Sequence, residues 1–580
     1  MAVIVLMAVT SLGAPPNVEY TVIAWSGDIR PAGTLPLGSL DPPCINDSGA
    51  VAFYSSSGND AIWQGSANNA LRAVALKGGA APTGVFESFS SLIQDNAGRV
   101  LFDGELQTGT GGITSANDEG YWAESSPGTL VEIAREGMPS PGVPGSRFFA
   151  PFLSGAVRFG NNGLVLLNPD ISSAVDQVVI AGQPGNLQLV ARSRQQPPGL
   201  GVGLGWRLFD VISATGSGTY YFQGEYWQNS NQQFKGYGLW SNQSGTLNSV
   251  FIDQVTTGTP PGYNVQAPSD RDIGINGAGK IVMKQLLMNP SDSEDIGMAL
   301  YSSTRGQLQY ETGYPQPAPG LSGVSFAGPE GLSSPRPLVN AQDRIAFGSY
   351  LRGEGVTQQN ETALWMGTGN QYALVARGGM QAPGVSPGTH FSDVTGRDDD
   401  VSAFSLGSAG HLVFYSFLTT AAQANRGIWM TDRAGQLRLM ALRGDTITLP
   451  NGMNRTFNEF DMMTGSSGDD GKARCVNASG QLAFKVTFSG GDSAIIRARL
   501  TNDPTPPVAE VPVVALTKGP PGKIVLSWTT ARTDCVVQAT TNPATGPWQP
   551  VTDQPVVNGS TRTLEMPVTP GARFFRILCP

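Results

Sequence analysis

The chain has 580 residues, of which 74 are glycine and 42 proline, and only 14% are charged. That composition excludes a mainly helical protein, a coiled coil and a charge-rich disordered chain. Acidic residues (45) outnumber basic ones (36), and no Lys/Arg block is present, so a nucleic-acid partner is not expected.

The chain opens on MAVIVLMAVTSLG, an apolar run followed by small residues and then Pro15-Pro16. This has the apolar region and cleavage zone of a secretory signal, without a Lys or Arg ahead of it. A signal-like segment over 1–14 and a secreted or cell-surface location are expected. No later stretch approaches the ~18 apolar residues of a membrane-spanning helix. Four cysteines fit an oxidising compartment.

One pattern then recurs eight times: a short apolar strand, a turn ending in Gly, and a second apolar strand. The copies are Asn46 to Phe53 (NDSGAVAF), Asp95 to Phe102, Gly160 to Leu167, Thr215 to Phe222, Asn276 to Met283, Asn340 to Phe347, Gly407 to Phe414 and Asn477 to Phe484. Their mean spacing is about 62 residues, longer than common propeller blades but compatible with longer loops. Asn or Asp at the first position can bond its own backbone two residues on, and Gly at the fourth accepts a left-handed backbone. Asp343 replaces that Gly in the sixth copy. The motif therefore reads as a hairpin turn.

A further strand follows each turn, ending in an aromatic in most copies: Trp63, Trp122, Trp240, Tyr301, Trp365 and Trp429. A last strand and a Gly/Pro turn complete the unit, as in YALVARGGMQAPG from Tyr372. Four strands in meander order describe a propeller blade. The eighth unit stops after Ile495-Ile496-Arg497 without its last strand, and Tyr20 to Gly33 (YTVIAWSGDIRPAG) matches the missing piece. The expected fold is all-β: an eight-bladed β-propeller over 18–500, closed by an N-terminal strand that removes the open sheet edge. Cys44 and Cys475 precede the first and last turns by two residues each, so closure makes them neighbours and suggests a disulfide between them.

Residues 501–512 (TNDPTPPVAEVP) are Pro-rich and read as a linker. Beyond them the repeat disappears, and short strands with Trp528 and Trp548 suggest a small β-sandwich over 513–580. This segment resembles the fibronectin type III-like modules of secreted bacterial proteins, and the resemblance implies a second disulfide, Cys535–Cys579. The repeated turn resembles the tandem-repeat family named for Asn-x-x-Gly-x-x-Ala-Phe, matched in full by Asn46 to Phe53 and Asn477 to Phe484. That resemblance implies a secreted or surface-attached bacterial protein and transfers no catalytic residues.

Candidate ligand-binding residues are the acidic clusters ahead of some units: Asp270 and Asp272, Asp398-Asp399-Asp400, and Asp469-Asp470. Carboxylates gathered on one face suit Ca²⁺ or a cationic group, although the spacing is no calcium-loop signature and solvated turns explain them too. Glu105 and Glu225 follow corresponding hairpins, but non-adjacent units hold them too far apart for a glycosidase pair. The repeated Trp/Tyr series reads as packing between units. GLGVGLG (199–205) opens no helix and reads as a turn. His390 and His411 lack a third ligand for a metal site. The expected function is non-catalytic binding or scaffolding by a monomer whose propeller face holds a glycan or protein, with no cofactor. The alternatives are an extracellular carbohydrate-active hydrolase or lyase, and a structural envelope or matrix component.

Overall fold

The computed structural model describes residues 15, 17–29, 36–57, 60–149, 157–171, 173–266, 272–327, 336–394, 404–419, 425–503, 514–529, 536–541, 549–551, 553, 555–558, 561–568 and 573–578. The chain divides into two compact units, Met1–Asp503 and Pro504–Pro580. The signal-like segment 1–14 lies outside the described residues.

Among the described residues, the first unit forms eight antiparallel sheets of four or five strands. In chain order, the first comprises Ser39–Leu40, Cys44–Ile45, Val51–Ser56, Ala61–Gly65 and Arg72–Leu76. The second comprises Phe86–Gln94, Val100–Leu106, Glu119–Ser126 and Thr129–Arg135. The third to seventh occupy 157–192, 204–252, 264–313, 324–377 and 390–442. The eighth joins Thr446–Thr448, Asn454–Asp461, Gln481–Phe488 and Ser493–Leu500 to Val18–Trp25 from the start of the chain. Val18 lies opposite Leu500 and Val22 opposite Ile496, so the N-terminal strand supplies what the eighth unit lacks.

The alternation of Gln481–Phe488 shows how the sheets pack. Leu482, Phe484 and Val486 share a core with Val413, Ile428 and Met430 of the seventh sheet. Ala483, between them, faces the other way and shares a core with Ile45, Val51 and Phe53 of the first sheet. Each sheet is therefore apolar on both faces, as period-two patterning permits only when both faces are covered.

All eight turns have one geometry. In each, the fourth residue's N–H donates to the first residue's carbonyl, from Gly49 to Asn46 (3.0 Å) through to Gly480 to Asn477 (3.1 Å). The fourth position has positive φ throughout, and Asp343 adopts it at +57°. The turn asparagines do more than close their own hairpins. Asn477 Oδ1 accepts from the N–H groups of Ser479 (3.0 Å) and Gln481 (2.9 Å), while its Nδ2 donates to the Asn46 carbonyl (2.9 Å). Asn46 Nδ2 likewise reaches the Asp95 carbonyl (3.2 Å), Asn276 the Asn340 carbonyl (2.7 Å) and Asn340 the Gly407 carbonyl (3.0 Å). Each amide thus ties its turn to the same position of the next unit, from a buried site.

The repeated aromatics are buried. Phe222–Trp240, Phe347–Trp365 and Phe414–Trp429 stack at interplanar angles of 20°, 15° and 22°. The indole N–H groups of Trp240, Trp365 and Trp429 donate to the carbonyls of Pro198, Pro319 and Pro383 in the preceding Pro-Gly turns. These rings serve packing, as their regular recurrence indicates.

The expected Cys44–Cys475 disulfide is not formed: both residues are buried free thiols. Cys44 packs with Ala52, Phe86 and Trp122 between the first and second sheets. Cys475 packs with Val413 and Phe484 between the seventh and eighth. The two side chains thus face opposite ways, Cys44 toward the second sheet and Cys475 toward the seventh, with the first and eighth sheets between the sulfurs. Burial pushes each thiol up to about 12.

In the second unit, Val514–Lys518, Lys523–Thr529, Thr561–Pro567 and Val556–Asn558 form one sheet, and Gln549–Pro550, Val536–Thr540 and Phe574–Leu578 another. Leu526, Trp528, Val537, Leu564 and Met566 make its core. Cys535, Cys579, Trp548 and residues 504–513 lie outside the described residues.

Two outcomes follow. Asn477→Asp keeps the turn acceptors but turns a donor into a carboxylate facing the Asn46 carbonyl. Its unfolding free energy in urea should drop by about 1–3 kcal/mol, and an unchanged midpoint would contradict the inter-unit role. Alkylation without reductant should label Cys44 and Cys475 only after denaturation, and recovery of a peptide pair linked by a disulfide would refute the free-thiol arrangement.

Candidate functional site: the inner strands and their open end

The segment between Asp461 and Cys475 belongs to the eighth unit, yet it bonds to six other sheets. Gly465 N donates to the Phe404 carbonyl and Leu406 N to the Ser466 carbonyl in the seventh unit. Ser467 Oγ reaches the Ile275 carbonyl in the fifth (3.4 Å). Ala214 N of the fourth donates to Asp470 O (3.2 Å), and Phe159 N of the third to Gly471 O (2.8 Å). Ile45 N of the first donates to Arg474 O (2.9 Å), and the Arg474 guanidinium donates to Asn96 Oδ1 in the second and pairs with Asp47 (3.2 Å). This one short segment therefore lies centrally among the sheets, bonded to strands or turns of six of them.

This placement corrects the reading of Asp469 and Asp470 as ligand-binding surface residues. Asp469 Oδ1 accepts from Asn161 Nδ2 (2.7 Å) and Gly216 N (3.0 Å), and burial raises its carboxyl above the usual range. Asp470 accepts from Ser466 Oγ (2.9 Å) and Ser467 N (3.1 Å). Both hold the central segment, because turns that lack an amide in the third and fourth units need another partner there.

Away from the turns, the first strand of several units is broken: Ser39–Leu40 and Cys44–Ile45, Val324–Phe326 and Leu338–Val339, His390–Asp393 and Phe404–Leu406. The residue after each unit's motif lies at this level of the second strand: Tyr54, Asp103, Asn168, Gln223, Lys284, Gly348, Tyr415 and Lys485. All but Gly348 are polar. A hollow of 280 Å³ opens among Asp41, Tyr54, Phe89, Ser90, Ser91 and Met463, drawn from the first, second and eighth units. Beside it, Asp461 is the register partner of Lys485. Burial raises the Asp41 and Asp461 carboxyls, and the Lys485 ammonium opposes both shifts. Asp103 accepts from Ser90 Oγ (2.7 Å) and Ser91 Oγ (3.0 Å). The wall of the hollow is mainly apolar, from Pro42, Phe89, Leu92 and Met463, with hydroxyl, carboxylate and ammonium groups around it.

Asp272 belongs to the same level and pairs with the buried Lys284 (3.4 Å), whose ammonium is destabilised by burial and restored in part by Asp272. Asp270 and Asp398-Asp399-Asp400 lie outside the described residues. Glu105 and Glu225 are held in separate sheets, by Ser88 Oγ (3.1 Å) and by Trp227 Nε1 (3.3 Å). His411 is buried against Asp503 (3.0 Å). Among the described residues no three His, Cys, Asp or Glu side chains are grouped to hold a metal, and no helix is long and apolar enough to cross a membrane. GLGVGLG is a turn leading into Leu204–Ala214.

The sequence reading missed a row of carboxylates across the second sheet. Glu105 is the register partner of Glu119, and Glu136 N donates to the Glu119 carbonyl (3.0 Å). Glu136 is buried, with neither carboxyl oxygen hydrogen-bonded. Burial first, then repulsion from Glu119 and Asp118, pushes it up to about 7. Only the strand register could have revealed this row, since the three residues are spread over two loops.

A carboxyl raised in the folded state holds its proton more tightly there than in the unfolded chain. Its favourable contribution is present at low pH and lost as pH rises through about 7. Glu136→Gln should therefore melt higher than the parent at pH 8, and the difference should shrink toward pH 4. A difference independent of pH would show that Glu136 is not the titrating group.

Residues 14–166 and 154–509 match DUF7453, a family of unknown function. The second match alone covers more than half of the chain, which belongs to that family. No curated protein matches it. Among solved structures the chain is similar to the polysaccharide lyase Uly1, at 10% identity over 68% of this chain and 88% of that chain, with a TM-score of 0.32. It is similar to the Dos1 propeller at 7% identity over 83% and 95%, with a TM-score of 0.33. It is also similar to the Penicillium chrysogenum α-L-arabinanase complexed with arabinobiose, at 12% identity over 60% and 93%, with a TM-score of 0.24.

Proposed function

We propose that this member of a family of unknown function is a secreted or cell-surface binding or scaffold protein without catalytic activity. In this reading the first unit is an eight-bladed β-propeller closed by its N-terminal strand, and the second is a fibronectin type III-like module. The pairing of Val18–Trp25 with Ser493–Leu500 and the Asn477–Asn46 tie support the ring. The Asn-x-x-Gly-x-x-Ala-Phe kinship is supported by the single geometry that all eight turns share.

The observation that carries the binding reading is the central segment Met462 to Arg474. It occupies the place where a propeller enzyme would need a deep pocket, and a hollow among Asp41, Tyr54 and Met463 opens beside Asp461 and Lys485. A glycan or protein ligand would dock there, across several units, as ligands do where loops of different elements converge. Asp272, paired with Lys284, and the acidic residues Asp270 and Asp398 to Asp400 expected from the sequence to bind ligand are part of the same proposal.

The test is a screen of the full chain against immobilised glycans and extracellular matrix proteins, with and without Ca²⁺, followed by the double variant D41N/D461N. A ligand whose affinity falls at least about tenfold in the variant, equivalent to 1.4 kcal/mol, supports the reading. Release of shortened or unsaturated saccharides from a polysaccharide by the wild-type chain would replace it with a hydrolase or lyase.

A further inference from the structure

We propose that the hairpin of the fourth sheet, Tyr220–Gln228 and Gln233–Ser241, carries a separate saccharide-binding platform. The proposal goes beyond the reading above and does not rest on it.

This hairpin is among the longer ones of the repeat. Its strands have nine residues each, against six and five in the first sheet and nine and eleven in the fifth. Its outer part carries three aromatics in one cluster, where the seventh hairpin carries the pair Tyr415 and Phe417. Phe222 and Trp240 fill the buried stack common to the repeats, whereas Trp227, Phe234 and Tyr237 lie on that outer part and are partly or largely exposed. Trp227 is the register partner of Phe234, and Glu225 of Tyr237. The Trp227 and Phe234 rings stand 5.9 Å apart at 77°, and Phe234 and Tyr237 stand 5.0 Å apart at 61°. Phe234 is 42% exposed, which nothing in the packing of the hairpin itself requires.

The platform is fixed in advance. The Arg207 guanidinium lies 4.2 Å from the centre of the Trp227 ring, Glu225 accepts from Trp227 Nε1 (3.3 Å), and Arg207 and Glu225 are 3.8 Å apart. The tip is anchored to the glycine-rich turn, with Asn229 N and Gln228 Nε2 both donating to the Gly203 carbonyl (2.9 and 3.3 Å). Rings and tip therefore need little ordering when a ligand arrives.

The chemistry of the tip selects the ligand class. Between Trp227 and Phe234 run Gln228, Asn229, Ser230, Asn231, Gln232 and Gln233, without a charged or aliphatic side chain. Amides present donors and acceptors together, which matches hydroxyl groups that do both. Aromatic faces take the apolar C–H faces of a sugar ring by area burial. The two cations at the hairpin, Arg207 and Lys235, are already engaged by Glu225 (3.8 Å) and Gln233 Oε1 (2.9 Å), which disfavours a phosphate backbone, and a hydrophobic peptide would leave the amides without partners.

The probes are linear hexasaccharides of glucose, mannose, xylose, galactose and N-acetylglucosamine, titrated calorimetrically into the full chain and into W227A, F234A and W227F. At least one should bind, with affinity reduced about fivefold or more in W227A and in F234A and largely retained in W227F. Thermal melting of each variant distinguishes loss of the platform from loss of the fold, and F234A, at an exposed position, should melt as the parent does. Binding of none of these saccharides overturns the proposal. So does binding that W227A and F234A leave unchanged, which would place the sugar elsewhere, and so does capture of a protein by this hairpin with no saccharide binding.

Discussion

The structure depends on one buried amide used twice. The oxygen of the turn asparagine closes its own hairpin, and the nitrogen of the same group bonds the backbone of the next unit. An unpaired buried amide costs about 1–3 kcal/mol, so each turn is stable in this form only when the next unit is in place. Local conformation and assembly are thereby made one condition. The link from Asn477 to Asn46 applies that condition between residues 431 positions apart in sequence.

Where the amide is missing, the structure uses other groups. In the second turn Asp95 cannot donate, and its carboxylate instead accepts from Arg99 N (2.8 Å) and Arg99 Nε (2.7 Å). The third and fourth turns begin with Gly160 and Thr215, and there Asp469 of the central segment binds Asn161 and Gly216. The insertion in the eighth unit is thus more than a filler. It restores ties at the positions where the repeat has drifted.

This has a consequence for function. With the turn end occupied by structural bonds, variation falls at the opposite level, on the residue that follows each motif, half-buried at Tyr54, Tyr415 and Lys485 and buried at Asp103, Asn168, Gln223 and Lys284. The residues there differ from unit to unit, from Tyr54 and Asp103 to Lys284 and Lys485, while the turns around the centre are nearly alike. Constancy at one end and diversity at the other is the division expected of a scaffold that presents a binding surface. The hairpin of the fourth sheet carries exposed polar and aromatic groups of its own.

The sequence by itself determined the strand order, the eight turns, the inward role of the Trp/Tyr series and the complementarity of the chain ends. Each of these is encoded in local pattern: two-residue alternation, a left-handed fourth position, an aromatic at a fixed offset. It could show that Cys44 and Cys475 are equivalent, but equivalence fixes position within a unit and not direction between units. Only the packed sheets decided that the two thiols face opposite ways, one toward the second sheet and one toward the seventh, and stay apart. The same holds for Asp469 and Asp470, which read as surface acids until the segment carrying them was found at the centre, and for Glu136, whose neighbours come from strand register. Long-range contacts of this kind depend on where whole sheets come to rest, and side chains that look alike in a local window are separated by that placement alone.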